Sequence, residues 1–208
     1  MCIRDRFNAS AIQQNFLDWF DTGKFGTRDN AFDVGMTVVG ALNRVKNVLH
    51  PYTGSTDKRT SGNGCIMRMA PCIVWNRKSL SAAIAESVAQ AILTHGSADS
   101  IKYTAALAHE LWVGRPLSEF DVLRDRPIKN SGYVADTYAS AWHSAVSTSS
   151  FDDAIVDAIN RGGDADTVGA VTGMICGRMY GYESIKKSSI EILKLEEIIQ
   201  TFNQIYFQ

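Results

Sequence analysis

Arg161-Gly162-Gly163-Asp164-Ala165-Asp166-Thr167-Val168-Gly169-Ala170-Val171 opens with two glycines, places two carboxylates and a hydroxyl on the next four positions, and runs into an apolar stretch of helical spacing. A helix start needs one side-chain oxygen to satisfy its unpaired amides, and Asp166 or Thr167 supplies that alone. Asp164 and Asp166 at i, i+2 repel each other if crowded, and a hard divalent cation held by carboxylate and hydroxyl oxygens makes such crowding favourable. On spacing alone two readings stand: a Gly-terminated helix followed by an Asp-capped one, and one half of a metal site. Beyond the motif, Gly169, Gly173, Gly177 and Gly181 recur at four-residue intervals along one face. Glycine costs about 1 kcal/mol relative to alanine inside a helix, so a close tertiary contact is expected to offset it. This helix is therefore expected at the centre of a bundle.

Outward from that helix, the apolar period stays helical. Ser10 and Gln13 form a capping box for a helix that buries Ile12, Phe16, Trp19 and Phe20 and stops at Gly23. Asp33 caps a second, with Val34, Val38, Ala41, Leu42 and Val45 inward until Pro51. A third follows Pro71. Leu80 to Leu93 turns Ile84, Val88, Ala91 and Ile92 inward, and Ser97 caps a helix with Ile101, Ala105, Ala108, Leu111 and Trp112 inward, ended by Gly114 and Pro116. Leu117 to Gly132 reads as a solvated connection. Val134, Tyr138, Ala141, Trp142 and Ala145 line the next helix, and Ser150 with Asp153 caps the one carrying Ile155, Val156 and Ile159. Tyr182 to Gln208 reads as a last helix with Ile190, Leu193, Ile198 and Phe202 for packing. No strand-period run, repeat or low-complexity tract is present, so the fold class is all-α, in one domain of residues 7–208. Met1 to Arg6 is read as a non-native or disordered end.

The 208 residues suffice for one sizeable core, and 45% hydrophobic against 21% charged residues is ordinary for a soluble globular chain. With 21 basic and 22 acidic side chains the net charge is -1, so no global field attracts nucleic acid or an anionic membrane, and phosphate recognition must be local. Cys2, Cys65, Cys72 and Cys176 form no Cys-x-x-Cys pair and have apolar neighbours, which predicts buried thiols. There is no signal peptide and no apolar run of spanning length. A cytoplasmic monomer is expected.

A second motif, Ser61-Gly62-Asn63-Gly64-Cys65-Ile66-Met67-Arg68, follows a polar loop. Glycines flanking Asn63 let successive amides point at one anion, so the loop fits a phosphate cradle as well as a tight turn before a helix. Arg68 fits a phosphate partner or a structural salt bridge. Between the motifs stands Thr94-His95-Gly96, where His95 at a loop-helix junction is able to donate to a ligand oxygen.

Taken in order, these motifs resemble the ADP-ribosylglycohydrolase family, which includes dinitrogenase-reductase-activating glycohydrolases and ADP-ribosyl-acceptor hydrolases. The resemblance spans about Phe16 to Tyr182. It implies a compact, orthogonally packed helical bundle. It also implies hydrolysis of the N- or O-glycosidic bond joining ADP-ribose to a protein side chain or small acceptor, with an ADP-ribosylated protein or a small ADP-ribose ester as substrate, and a centre of two Mg or Mn ions. By resemblance, Asp164, Asp166 and Thr167 are metal ligands, and Ser61, Gly62, Asn63, Gly64 and His95 contact ADP-ribose.

Full-length members carry a Gly-Asp-containing segment and a Ser/Thr-Asp-Asp motif near their start, which complete the metal centre and supply catalytic acids. Neither string is found here. Phe151-Asp152-Asp153 lies far along the chain and reads as a cap. Three oxygens on one turn anchor a hard cation weakly. The expectation is an N-terminally truncated glycohydrolase whose catalytic residues lie outside this sequence and whose 208 residues alone are inactive. The alternatives are an ADP-ribose-binding module without turnover and a crystallin-like structural member.

Overall fold

A computed structural model describes residues 7–26, 28–48, 50–115, 127–191 and 200. Helices α1 (Ala9–Thr22), α2 (Met36–Val45), α3 (Ala70–Trp75), α4 (Leu80–Ile92), α5 (Ala98–Val113), α6 (Val134–Ser147), α7 (Phe151–Asn160), α8 (Ala165–Tyr180) and α9 (Lys187–Glu191) follow in order, with 3-10 turns at Lys58–Thr60 and Tyr182–Ser184. The described residues contain no strand. Two isolated bridges, Ser55 with His95 and Gly62 with Tyr133, tie loops together. No described helix is long and apolar enough to cross a membrane. The all-α expectation holds.

The core is organised around α6 rather than α8. Val134, Ala135, Tyr138, Ala141, Trp142 and Ala145 are buried together with Thr137, Ser140 and Ser144, so α6 is covered on nearly every side, by α5, α7 and α8. Ile66, Met69, Leu107 and Ile175 belong to the same cluster, and burying an apolar side chain of that size contributes about 1.5–3 kcal/mol. On α5, Glu110 is fully buried and accepts hydrogen bonds from the Tyr138 hydroxyl and, at 2.7 Å, from Trp142 Nε1, joining α5 to α6. Helix α8 buries one face, Val168, Val171, Thr172, Ile175 and Cys176. Its glycines meet α7 only in part: a Cβ at Gly169 would lie 3.1 Å from Ile159 and one at Gly173 3.7 Å from Ile155, whereas Gly177 has open space and Gly181 is the C-cap.

Ser97 and Ser150 cap as expected, their side chains accepting the amides of Ser100 and Asp153, and Gly23 and Gly114 end helices in the left-handed region; Ser79, which the sequence reading does not single out, caps α4 by accepting from the Ala82 amide. Others are corrected. Asn8, not Ser10, caps α1 by accepting from the Ala11 amide. Gly35 rather than Asp33 precedes α2, which ends at Val45, short of Pro51. The buried face of α4 is Ala83, Ser87, Gln90 and Ala91, leaving Ile84, Val88 and Ile92 half-buried. On α5 the buried stripe falls on Tyr103, Thr104, Leu107, Ala108 and Leu111, with Ile101, Ala105 and Trp112 half-buried. Val156 and Ile159 of α7 are exposed. Cys65, Cys72 and Cys176 are free and buried, as expected. Met1 to Arg6 with Cys2, Pro116 to Arg126, and Leu193, Ile198 and Phe202 lie outside the described residues.

Candidate active site

Two backbone crossings bring the motifs together. The Asn63 amide donates to the Gly132 carbonyl at 3.1 Å and the Val134 amide to the Ser61 carbonyl at 3.0 Å, pinning the Gly-Asn-Gly loop to the start of α6. The Gly54 amide donates to Ile92 at 3.0 Å and the Gly96 amide to Ser55 at 3.1 Å. Only glycines fit that second crossing, because a Cβ at Gly54 would stand 2.5 Å from the Ile92 carbonyl oxygen and one at Gly96 2.6 Å from that of Gly54.

Within this frame the His95 ring, 1% exposed, lies against the loop: a Cβ at Gly62 would be 3.1 Å from its Nε2 and one at Gly64 3.2 Å from its Cε1. Burial, assisted by the nearby charge of Arg68, pushes the His95 imidazole down to about 3, so it is neutral at physiological pH. Ser61 Oγ stands 2.7 Å from the Lys58 carbonyl and 2.9 Å from Ser97 Oγ, and the Ser100 hydroxyl donates to the Gly62 carbonyl at 3.3 Å. The loop's amides are engaged as well, contrary to the expected cradle of successive amides: those of Ser61, Gly62 and Asn63 donate to the Lys58, Thr60 and Gly132 carbonyls at 3.2, 2.8 and 3.1 Å.

Asn63 reaches across to the other motif. Its Nδ2 donates to Asp164 Oδ2 and to Thr137 Oγ1, both at 2.7 Å. Asp164 begins α8 without its side chain capping an amide. Burial acts to raise the Asp164 carboxyl, and hydrogen bonds, that of Asn63 foremost, bring it net below the usual carboxylate value. Gly162 and Gly163 have φ of 68° and 63°, the left-handed region that glycine enters without strain. Gly163 also lacks room for a side chain, since a Cβ would fall 2.1 Å from the Asn130 carbonyl oxygen. That carbonyl accepts the Asp164 amide at 3.0 Å, while Asn130 Nδ2 donates to the Ala158 carbonyl at 2.9 Å and its Oδ1 accepts from Ser140 at 2.5 Å. Asn130 thereby holds the glycine turn against α6 and α7, a role no sequence signal announced.

Thr167, nearly buried, points its hydroxyl at Met67 Sδ, 3.7 Å away, and Asp166 is exposed. The three expected metal ligands therefore occupy one turn at the head of α8, with Asp164 already held from one side by an amide. This donor set, two carboxylates and a hydroxyl, suits one side of a hard cation. Among the described residues no group of three or more His, Cys, Asp or Glu is placed to hold a metal. Beside the site, Phe16, Trp19, Val34, Val38, Met67 and Arg68 line a groove of about 350 Å³. Among the described residues Arg68 forms no salt bridge: it donates to Gln90 and Thr94 and lies over the Phe16 ring.

A helical bundle in which a Gly-Asn-Gly loop and a Gly-Gly-Asp helix start face each other defines the class. The profile of the ADP-ribosylglycohydrolase family matches residues 1–125 and 110–207, a wider span than the motifs alone delimit, and the chain belongs to this family. It is 30% identical to the ADP-ribosylarginine hydrolase Tri1 of Serratia proteamaculans (strain 568) over 97% of this chain and 62% of that protein. It is 28% identical to the Tri1 hydrolase of Pseudomonas putida (strain GB-1) over 100% of this chain and 64% of that one. The chain thus spans less than two thirds of the length of either relative. Among solved structures, an ADP-ribosylglycohydrolase-related protein complex superposes with a TM-score of 0.80 at 25% identity, covering 98% of this chain and 75% of its own.

Proposed function

We propose that the protein containing this chain is a hydrolase that releases ADP-ribose from a modified protein side chain, arginine being the first acceptor to test. The observation that carries this reading is the direct bond from Asn63 to Asp164, which sets the Gly-Asn-Gly loop beside a carboxylate-bearing helix start. The family membership and the two arginine-directed relatives support it.

In this reading the Ser61 to Gly64 loop and His95 bind the diphosphate region. The amides of Ser61, Gly62 and Asn63 donate within the protein, to Lys58, Thr60 and Gly132, so the donors this reading uses are the Gly64 amide and the neutral imidazole N–H, neither of which carries a charge that would have to be desolvated. Asp164, Asp166 and Thr167 hold one side of a centre of two Mg or Mn ions, which when bound would orient ribose hydroxyls and polarise water. Asn63 fixes which Asp164 oxygen faces that centre. The residues that move protons are not assigned among those described.

The test is hydrolysis of ADP-ribosylated arginine and serine peptides by the protein in its complete natural reading frame, with Mg or Mn and then with chelator. Metal-dependent release from one of the two supports the reading. Chelator-resistant release overturns the metal role, and ADP-ribose binding without turnover on either peptide favours a binding module.

A further inference from the structure

The proton position on His95 can be read from its neighbours. Arg68 has donors only. Its Nε donates to Gln90 Oε1 at 2.8 Å, and its Nη2 donates to the Gln90 carbonyl at 3.1 Å and to Thr94 Oγ1 at 2.7 Å. The guanidinium is further held 4.6 Å from the centroid of the Phe16 ring. Thr94 Oγ1 therefore accepts from one side, and on the other it stands 2.7 Å from His95 Nδ1. Thr94 is fully buried, and its hydroxyl has no other acceptor among the described residues. The hydroxyl proton goes to Nδ1, so Nδ1 accepts and the neutral ring carries its hydrogen on Nε2. Nε2 is the atom turned to Gly62. The turn that carries the ring is held by the Thr94 and His95 amides, which donate to the Ala91 carbonyl at 3.0 and 2.7 Å.

We propose that Arg68 and Thr94 are positioning residues that lock His95 in the Nε2–H tautomer, making it a fixed neutral donor to an anionic oxygen at the Gly62–Gly64 loop. The ligand named here rests on the functional reading above and is the diphosphate of ADP-ribose. The opposite tautomer would turn a lone pair toward the loop and repel a phosphate oxygen. Arg68 thus acts on the ligand through two intervening groups without touching it. The same relay gives His95 no part in proton transfer, since the nitrogen facing the loop already carries its hydrogen.

Nitrogen NMR of 15N-histidine-labelled full-length protein at pH 7 reads the tautomer directly, with His95→Gln assigning the resonances. The expected result is a single Nε2–H form, retained in Thr94→Ser and replaced by a mixture in Thr94→Val and in Arg68→Met. ADP-ribose is expected to move the Nε2 resonance. Thr94→Val should weaken its dissociation constant about tenfold, the scale of one hydrogen bond, with Thr94→Ser restoring it. An Nδ1–H ring in the unaltered protein, or an Nε2–H ring that persists in Thr94→Val, overturns the relay whatever the ligand does. A locked Nε2–H ring in a protein that binds no ADP-ribose supports the relay and overturns the ligand assignment.

Discussion

Asn63 Nδ2 donates to Asp164 Oδ2 at 2.7 Å across 101 positions of sequence, and the same amide nitrogen donates to Thr137 Oγ1 at 2.7 Å. One side chain thus joins the Gly-Asn-Gly loop, the first turn of α6 and the head of α8. Replacing Asn63 by Ala removes both bonds, together with a longer one to the Ser131 carbonyl at 3.4 Å, and leaves the Asp164 carboxylate half-buried with less support. The expected loss is about 1–3 kcal/mol in urea unfolding, the cost of stranding a buried acceptor. Asn63→Asp should lose at least as much at neutral pH, because it sets a second carboxylate against the first.

The glycines separate three cases. Gly163→Ala meets both a left-handed φ and a clash with the Asn130 carbonyl oxygen, only 2.1 Å from the added Cβ, so it should destabilise well beyond strain alone. Gly162→Ala has the same sign of φ and open space, and should cost about 1 kcal/mol. Gly177→Ala has open space within α8 and should stabilise by about 0.5–1 kcal/mol. Thermal or urea unfolding of the three variants ranks them.

Stability should fall on acidification through His95. Its folded value, about 3, is below the unfolded 6.5, so below pH 6.5 the unfolded chain binds the extra proton and the native state is disfavoured progressively down to about pH 3. The slope from this one group is at most about 1.4 kcal/mol per pH unit. His95→Gln, compared with the unaltered protein between pH 7 and 4, should show the shallower acid limb. Equal slopes would remove His95 from the acid response.

Residues 1–208 alone should bind Mn weakly, with a dissociation constant on the order of 10⁻³ M, because Asp164, Asp166 and Thr167 offer oxygens from one side only. Hydrolysis of ADP-ribosylated peptides by this length of chain should be negligible. Calorimetric Mn titration checks the affinity, with Asp164→Ala expected to abolish the heat. Tight binding of two ions with turnover would show that these residues complete the centre themselves.

What sequence alone determined here is what short-range physics controls. The 3.6-residue apolar period specified the inward face of α6, and side-chain oxygens one turn from an amide specified the caps at Ser97 and Ser150. The order of the Gly-Asn-Gly, Thr-His and Gly-Gly-Asp motifs pointed to the family that the comparisons show. Where two local solutions competed, packing decided: Asn8 caps α1 in place of Ser10, and the turn at Gly35 starts α2 beyond Asp33. Whether a glycine serves as a contact, a turn or an open position depended on which helix lay opposite, so four equally spaced glycines of α8 and its cap have different surroundings. Burial of Glu110 between Tyr138 and Trp142, the Asn130 clamp on the glycine turn and the Arg68–Thr94–His95 chain each join residues from separate elements. No sequence period encodes such pairings, because their distances are set only when the helices and the loops between them close on one another and buried polar atoms must find partners there.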